Sequence, residues 1–405
     1  MIATTASPAN PRSFQLSPKA SAALLTVILM SFLAAASAPT PLYSLYRASW
    51  GFSAGTLTWV FSVYAFSLLL ALLSFGSLSD HIGRRPLVFA ALLIELLAML
   101  VFIAADSVSL LLLARILQGF ATGLATSVLG ATLLDIDRER GAVINSVAPL
   151  FGLAVGALGT SLLMQYAPAP LHLVFVLLLA AFVLCAVLAR YLPETVSRKP
   201  GAWASLRPSL LVPVQARRAL LLVAPVDISL WALGGFYLSL GPTLARTVTG
   251  HDSPLVGGLL VCSLMTSGAI GILLMRQQAA RTVLLTGTVA LMAGVLVTLL
   301  GVYLSSPLYL YLGSSIAGFG FGVAFLGALR SVMPLAHAHE RGGLMAAFYV
   351  LSYLAFALPA LAAGSLSQRL GLLPTTQLYG AVLIGLASIA LVGLLVQRPR
   401  VAPSP

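Results

Sequence analysis

The sequence is 405 residues long, 60% hydrophobic and 8% charged, and it carries a formal net charge of +12. Soluble domains average about 45–50% apolar and about 25% charged residues, so this composition excludes an ordinary soluble fold. The positive charge does not indicate a nucleic-acid-binding protein, because the basic residues lie between long apolar segments, where such residues orient membrane helices. The composition predicts a helical protein that crosses a membrane many times.

Twelve apolar segments are each close to the length of about 20 residues that spans a bilayer. The predicted spans are residues 20–43, 56–78, 87–105, 109–134, 142–165, 171–189, 219–241, 255–275, 283–304, 307–330, 343–366 and 375–396. The long connection, 190–218, contains four prolines and six basic residues. We therefore predict an all-α polytopic membrane protein with twelve transmembrane helices in two pseudo-symmetric six-helix bundles, residues 1–189 and 219–405, joined by a cytoplasmic linker, 190–218.

The first span resembles a signal peptide at its end. It follows two basic residues and reaches Ala36-Ser37-Ala38, a pattern typical of a cleavage site. Pro39 comes next, and the apolar run is long enough to continue across a bilayer. We therefore expect an uncleaved first helix, which contains no acidic residue.

Between spans two and three, the stretch GSLSDHIGRRP, residues 76–86, concentrates charge in a short turn. Its pattern resembles the loop signature of the major facilitator superfamily, G-x3-D-[RK]-x-G-[RK]-[RK], with His81 where the family has a basic residue. The resemblance extends over the whole chain and includes Leu192-Pro193-Glu194-Thr195 after span six. The matching positions of the loop are Gly76, Asp80, Gly83, Arg84 and Arg85.

The resemblance implies that this loop is a cytoplasmic gate. In the family the aspartate latches the start of span eleven, which here puts Asp80 near residues 342–343, where a helix N-terminus would favour an anion. Arg84 is expected to pair with an acid at the end of span four, either Asp135 or Asp137. The alternative is a charge cluster that only orients the helices and has no gating role.

Spans three and four contain Glu95 and Arg115, and a bilayer tolerates such groups only where they face protein or water. The sequence from Arg115 to Gly123 is similar to the family's span-four motif, in which the arginine is tied to proton coupling. Arg115 lies about 6 residues, or about 9 Å, from the outer end of span four, so its side chain could partly extend to the outer surface. A structural role in helix pairing is the alternative. Because span three is peripheral in the family, Glu95 ranks below Asp227 as a substrate contact but remains a candidate coupling acid.

Span five departs from the family's drug:proton antiporters. They carry G-P-x-x-G-G there, whereas this chain has Gly152-Leu-Ala-Val-Gly156-Ala-Leu-Gly159. The small residues that allow close helix packing remain, but the proline does not. This departure and the lack of an acid in span one leave proton-driven export and proton-coupled uptake both open.

Span seven combines an intramembrane acid with aromatic residues. Asp227 follows Pro225, which is expected to kink the helix. An intramembrane carboxylate is a candidate functional residue, either as a proton carrier or as a partner for a cationic substrate. A protonated side chain bonded to a neighbouring helix is the alternative. Trp231 and Tyr237 are expected to line a pocket for an amphiphilic molecule.

Two short sequence patterns each occur twice, and the two copies are separated by nearly the same number of residues in both cases. The glycine-rich stretches 119–123 and 318–322 lie 199 residues apart, and the Glu-Arg-Gly sequences 139–141 and 340–342 lie 201 residues apart. Parallel six-helix repeats around a midplane site are typical of transporters.

Charge asymmetry predicts the orientation. With the N-terminus inside, the outer segments contain only three basic residues, Arg47, Arg246 and Arg369. The positive-inside rule then places both termini in the cytoplasm, and we expect the bacterial inner membrane.

No G-x-x-x-x-G-K-[ST] sequence occurs, so we predict secondary rather than ATP-driven transport. The histidines and the two cysteines, Cys185 and Cys262, form no catalytic or metal-binding pattern, so we expect no enzyme, metal or cofactor. The expected function is proton-coupled efflux of a drug or metabolite, with uptake of a small metabolite as the alternative. A membrane-embedded enzyme or a non-transporting receptor is the alternative of a different class. The expected partners are a small-molecule substrate, protons and the bilayer, and the protein is expected to be a monomer.

Overall fold

The computed structural model describes residues 15–208 and 210–396. Within these ranges the chain forms sixteen α-helices, one short 3-10 turn and no β-strand, which confirms the all-α class. In chain order the helices are α1 (Pro18–Ser37), α2 (Pro39–Trp50), α3 (Ala54–Phe75), α4 (Ser79–Ile82), α5 (Arg84–Ile103), α6 (Val108–Ile136), α7 (Arg138–Tyr166), α8 (Leu173–Ala189), α9 (Ala202–Ser205), α10 (Val214–Ser239), α11 (Gly241–Thr249), α12 (Pro254–Met275), α13 (Ala280–Tyr303), α14 (Pro307–Val332), α15 (Arg341–Leu370) and α16 (Leu372–Val396).

Eleven segments of the described chain are long and apolar enough to cross a membrane, when α1 and α2 are counted as one continuous segment. The shorter apolar helix α8 adds a twelfth segment. These segments coincide with the twelve predicted spans and confirm a polytopic membrane protein.

Several helix boundaries differ from the predicted ones, and two of these differences have a clear local cause. The first span continues past residue 43 to Trp50. Pro39 does not end it, because it occupies the first turn of α2, where backbone N–H groups make no bond within the helix and proline's lack of an N–H costs nothing. Helix α10 begins at Val214, inside the predicted linker 190–218. Its first turn contains Gln, Ala and Arg residues, which favour a helix but lack the hydropathy of a span.

Helices α1 to α8 pack mainly on one another, and so do α10 to α16. The two groups meet along two seams, α3 against α15 and α7 against α12. Thr40 Oγ1 donates to the Leu238 carbonyl at 2.9 Å, and Ser62 Oγ donates to the Ala357 carbonyl at 3.2 Å. These bonds join the groups between the middle of the bundle and the end opposite the linker.

Helices α13 and α14 form the most extensive helix pair, and glycines at their interface allow the two backbones to approach closely. The glycines recur every seven residues on each helix, at Gly287, Gly294, Gly301, Gly313, Gly320 and Gly327. Seven residues are close to two helical turns, so each set occupies one face. A methyl group at any of the six would overlap the backbone of the partner helix. The two backbones therefore pack directly on each other, as small residues allow in membranes.

We expect Gly294→Ala to destabilise the protein by about 1–3 kcal/mol, because the added methyl group has no space and the backbone of Ala317 must move. Gly385→Ala on α16 is the matched control, since its methyl group would meet open space. Alanine is the better helix former by about 1 kcal/mol, so the control should be neutral or stabilising. Thermal unfolding of both variants in detergent tests this, and equal midpoints would contradict direct backbone packing.

Candidate functional site

The loop between α3 and α5 is organised around the side chain of Arg84, which is 9% exposed. Its Nε donates to Asp135 Oδ2 at 3.0 Å, and its Nη1 pairs with the Asp80 carboxylate. Gly83, just before it, has a φ of +103°, a conformation that glycine adopts without strain. Of the two acids expected for Arg84, the structure places Asp135 there, whereas Asp137 caps the first turn of α7.

The start of α15 contacts the linker. Leu211 N donates to the Gly343 carbonyl at 3.4 Å, while the Asp80 carboxylate pairs with Arg84 of its own loop. Asp80 is half exposed, at 51% of its side chain. In this structure a linker residue contacts the start of α15 at Gly343, and the carboxylate of Asp80 is bonded within its own loop.

Glu194 of the linker bonds to this loop, a contact that the sequence analysis did not predict although it noted the stretch Leu192–Thr195. Its carboxylate accepts hydrogen bonds from the backbone N–H groups of Arg84 at 2.8 Å and Arg85 at 3.1 Å. Gly83 has no side chain to cap α5, so a residue 110 positions away supplies the cap. The adjacent Thr195 Oγ1 donates to Asp135 Oδ2 at 2.9 Å. The linker, the loop and the end of α6 are thus tied together.

Two further loop positions also connect to neighbouring elements. Ser127 Oγ of α6 donates to the Gly76 carbonyl at 2.8 Å. Arg85 Nη2 donates to the Arg190 carbonyl at 2.7 Å, where α8 ends. The loop is therefore held by both α6 and the linker.

Arg115 is buried inside the first six-helix group, with 1% of its surface exposed. Its Nη1 donates to the Ala36 carbonyl at 2.9 Å and to Gln118 Oε1 at 2.6 Å. The guanidinium lies over the ring of Tyr64, 4.3 Å from the centroid, which is cation–π geometry. The side chain therefore turns inward toward α1 and does not snorkel to the outer surface.

Glu95 is fully buried and joins Arg115 through Gln118. Gln118 Nε2 donates to the Ala35 carbonyl at 2.9 Å and lies 3.5 Å from Glu95 Oε1. The residue four positions after Ala35 is Pro39, which has no N–H, so this carbonyl lacks its usual helical donor. Glu95 Oε2 has no hydrogen-bond partner among the described residues. We name Glu95, Gln118, Arg115 and Tyr64 the Arg115 cluster.

Asp227 lies in the second group and is also fully buried. Ser352 Oγ of α15 lies 2.8 Å from Asp227 Oδ2, while Oδ1 has no hydrogen-bond partner within the described chain. Trp231 follows one helical turn later. Its ring lies 5.0–6.5 Å from four other aromatic rings, those of Phe321, Phe325, Tyr353 and Phe356. We name Trp231 and these four side chains the aromatic cluster.

The aromatic cluster lies where the two six-helix groups meet. Phe356 packs against Phe61 of α3, with ring centroids 4.9 Å apart. Trp231, Phe325 and Tyr353 are only partly buried. Tyr237 is placed elsewhere, because its hydroxyl bonds to Ser314 of α14 at 2.8 Å and the side chain packs inside the second group.

Cys185 and Cys262 are free thiols on α8 and α12. Among the described residues, no group of three or more His, Cys, Asp or Glu is placed to hold a metal ion.

Comparisons with known proteins agree with this geometry. The model of the Major Facilitator Superfamily matches residues 24–360. Multidrug transporter MdfA of Shigella boydii is 29% identical over 304 residues, which cover 69% of this chain and 70% of that protein. Multidrug resistance protein MdtL of Klebsiella pneumoniae is 28% identical over 294 residues, which cover 69% of this chain and 73% of that protein.

Two solved structures share the fold. A mutant of the nucleoside transporter NupG superposes on this protein with a TM-score of 0.74 at 13% identity. The superposition covers 93% of this chain and 100% of the NupG chain. The human organic anion transporter MFSD10 gives a TM-score of 0.68 at 19% identity, with the same coverage of both chains. Together with the family match over most of the sequence, the shared twelve-helix fold shows that this integral membrane protein belongs to the major facilitator superfamily.

Proposed function

We propose that the protein exports small, drug-like molecules from the cytoplasm in exchange for protons. Membership of the superfamily supports transport as the activity, and the similarity to two multidrug transporters supports export of drug-like compounds. The positive-inside distribution of Arg and Lys supports an inner-membrane protein whose termini and linker face the cytoplasm.

The observation that carries the proposal is the Arg115 cluster, a buried acid and a buried arginine joined through Gln118. Ionisable residues buried in a membrane are costly, and they commonly mark proton pathways. Glu95 is fully buried, one of its oxygens has no partner among the described residues, and the other makes a long contact to Gln118, so a change in these surroundings is expected to change whether it holds a proton. A rearrangement between inward and outward conformations that moves α1 would alter the carbonyl contacts of Arg115 and Gln118. Proton binding and the conformational change are thereby linked.

Everted membrane vesicles that contain the protein and an acidic lumen test this proposal. A pH-sensitive dye should report loss of luminal protons when an exported compound is added outside, and vesicles without the protein should show no such loss. The probes are tetraphenylphosphonium, a neutral aromatic compound, an organic anion and a sugar. No proton movement with any of them would contradict proton exchange, and proton movement only when the compound is loaded inside would indicate symport.

A further inference from the structure

We propose that residues 190–218, the linker with the first turn of α10, dock on a surface of anionic phospholipids. The indole of Trp203 lies among the lipid headgroups, and the basic side chains lie beside the lipid phosphates. Docking of this kind does not depend on what the protein transports. Three features carry it: an exposed tryptophan that the backbone holds in place, a position level with the ends of the spanning helices, and a set of exposed cations without partners.

Trp203 lies on the short helix α9 and is 87% exposed, more than any other large hydrophobic side chain of the described chain. The backbone around it is fixed on both sides. Lys199 N donates to the His81 carbonyl at 2.9 Å, and Ser77 Oγ donates to the Ser205 carbonyl at 3.1 Å. The loop between α3 and α5 thus anchors α9, while the indole projects away from the protein. A side chain held in this way has a surface to meet.

The linker lies where that surface can be the bilayer. It begins at the end of α8, after Ala189, and it runs to the start of α10 at Val214. Both helices are membrane-spanning segments, so their ends reach the headgroup region. Tryptophan is enriched at this depth, because its ring is apolar and its N–H needs a polar partner. The exposed side chains of Leu210 and Val214 add apolar surface at the same end of the bundle.

The same segment carries a strong excess of positive charge. Its one acid, Glu194, accepts from the backbone N–H groups of Arg84 and Arg85. Its six basic side chains are all exposed, and none takes part in an ion pair of the described residues. They are Arg190, Arg198, Lys199, Arg207, Arg217 and Arg218. A group of about four to eight Lys and Arg residues next to a membrane helix is typical of a site for anionic lipid headgroups.

Two observations favour lipid over the other roles that a basic segment can have. Positive charge alone is enough to orient the helices, so orientation does not account for an aromatic side chain held out from the protein. An acidic protein or a nucleic acid could neutralise the cations, but neither is fixed at the level where the spanning helices end. The bilayer surface supplies phosphates and an apolar layer at that level together.

Tryptophan fluorescence of the purified full-length protein in liposomes tests the docking. The difference between the wild type and Trp203→Phe isolates the emission of Trp203, because the other three tryptophans are present in both proteins. The substitution removes no internal packing, since the side chain is exposed. When phosphatidylglycerol replaces part of the phosphatidylcholine, this emission should move to shorter wavelength. Quenching of it by a lipid with a nitroxide near the headgroup should rise at least about twofold. High salt should reverse both changes, because it screens the charges.

Two double variants separate the charge of the linker from charge elsewhere at this end of the bundle. Arg198→Gln with Lys199→Gln should lose at least about half of the phosphatidylglycerol-dependent quenching. Arg138→Gln with Arg140→Gln is the matched control, because it also removes two exposed charges, from the start of α7. The control should behave as the wild type does.

The same emission of Trp203 in both lipids would overturn the proposal and would favour an acidic protein or a nucleic acid as the partner of the linker. Strong quenching that responds neither to phosphatidylglycerol nor to salt would also overturn it, because apolar contact alone would then hold the tryptophan. Equal losses in the two double variants would contradict a site on the linker. If the linker double variant does not insert, the salt titration of the wild type against Trp203→Phe decides between the same outcomes.

Discussion

Replacement of Glu95 by Gln should reduce proton-driven transport by more than about tenfold while the protein still folds and inserts, because the titrating group itself is removed. Gln has nearly the same shape as Glu, and its amide oxygen can accept from Gln118 as Oε1 does now. What it cannot do is release a proton, so the charge near Arg115 no longer changes. Accumulation of tetraphenylphosphonium in energised everted vesicles measures the effect.

Exchange of labelled for unlabelled substrate without a proton gradient separates coupling from general damage. The Glu95→Gln protein should retain this exchange, since it needs the conformational change but no net proton transfer. Asp106→Asn is the matched control, because Asp106 is an exposed acid in the connection between α5 and α6. Normal proton-driven transport by Glu95→Gln would contradict a proton-binding role for Glu95 and would indicate Asp227, the other fully buried acid of the described chain, in its place.

The fold was predictable because hydropathy separates spans from connections so clearly. The errors fall where a boundary depends on something other than hydropathy. The first span was predicted to end at residue 43, but Pro39 lies in the first turn of α2 and the helix continues to Trp50. Val214 begins α10 among polar residues that a hydropathy pattern assigns to the linker. The seven-residue glycine spacing of α13 and α14 is visible in the sequence and would have predicted their close packing.

The candidate site was only partly predictable. A loop signature predicts the pairing of Arg84 with an acid of span four, but no local pattern predicts a helix cap supplied by Glu194 from 110 positions away. In span three almost every residue is apolar, so polarity cannot distinguish its buried face from its lipid face. The resemblance ranked Glu95 below Asp227 as a substrate contact, and no pattern in the sequence indicated that its side chain is fully buried.

Arg84→Gln should destabilise the protein by about 1–3 kcal/mol and lower the transport rate several-fold, because hydrogen bonds to charged partners are lost and two carboxylates are left facing each other. Arg84 holds Asp135, which also accepts from Thr195 of the linker. The linker in turn contacts the start of α15 at Gly343. Loss of this one guanidinium should therefore loosen the contact between the two six-helix groups at the linker end. Thermal unfolding in detergent and transport in vesicles measure the two effects.

Arg140→Gln distinguishes a gate from a charge cluster that only orients helices. Arg140 lies on the same side of the bundle, and its side chain is 74% exposed beside Asp137. Both substitutions remove one positive charge from that side, so the positive-inside rule predicts equal, small effects on insertion. A gate predicts a different result, because Arg84 alone is buried between two acids that connect the loop to α6 and the linker. Equal transport rates in the two variants would contradict a gating role for Arg84, whereas impaired transport in Arg84→Gln alone would mean that the position of the charge matters.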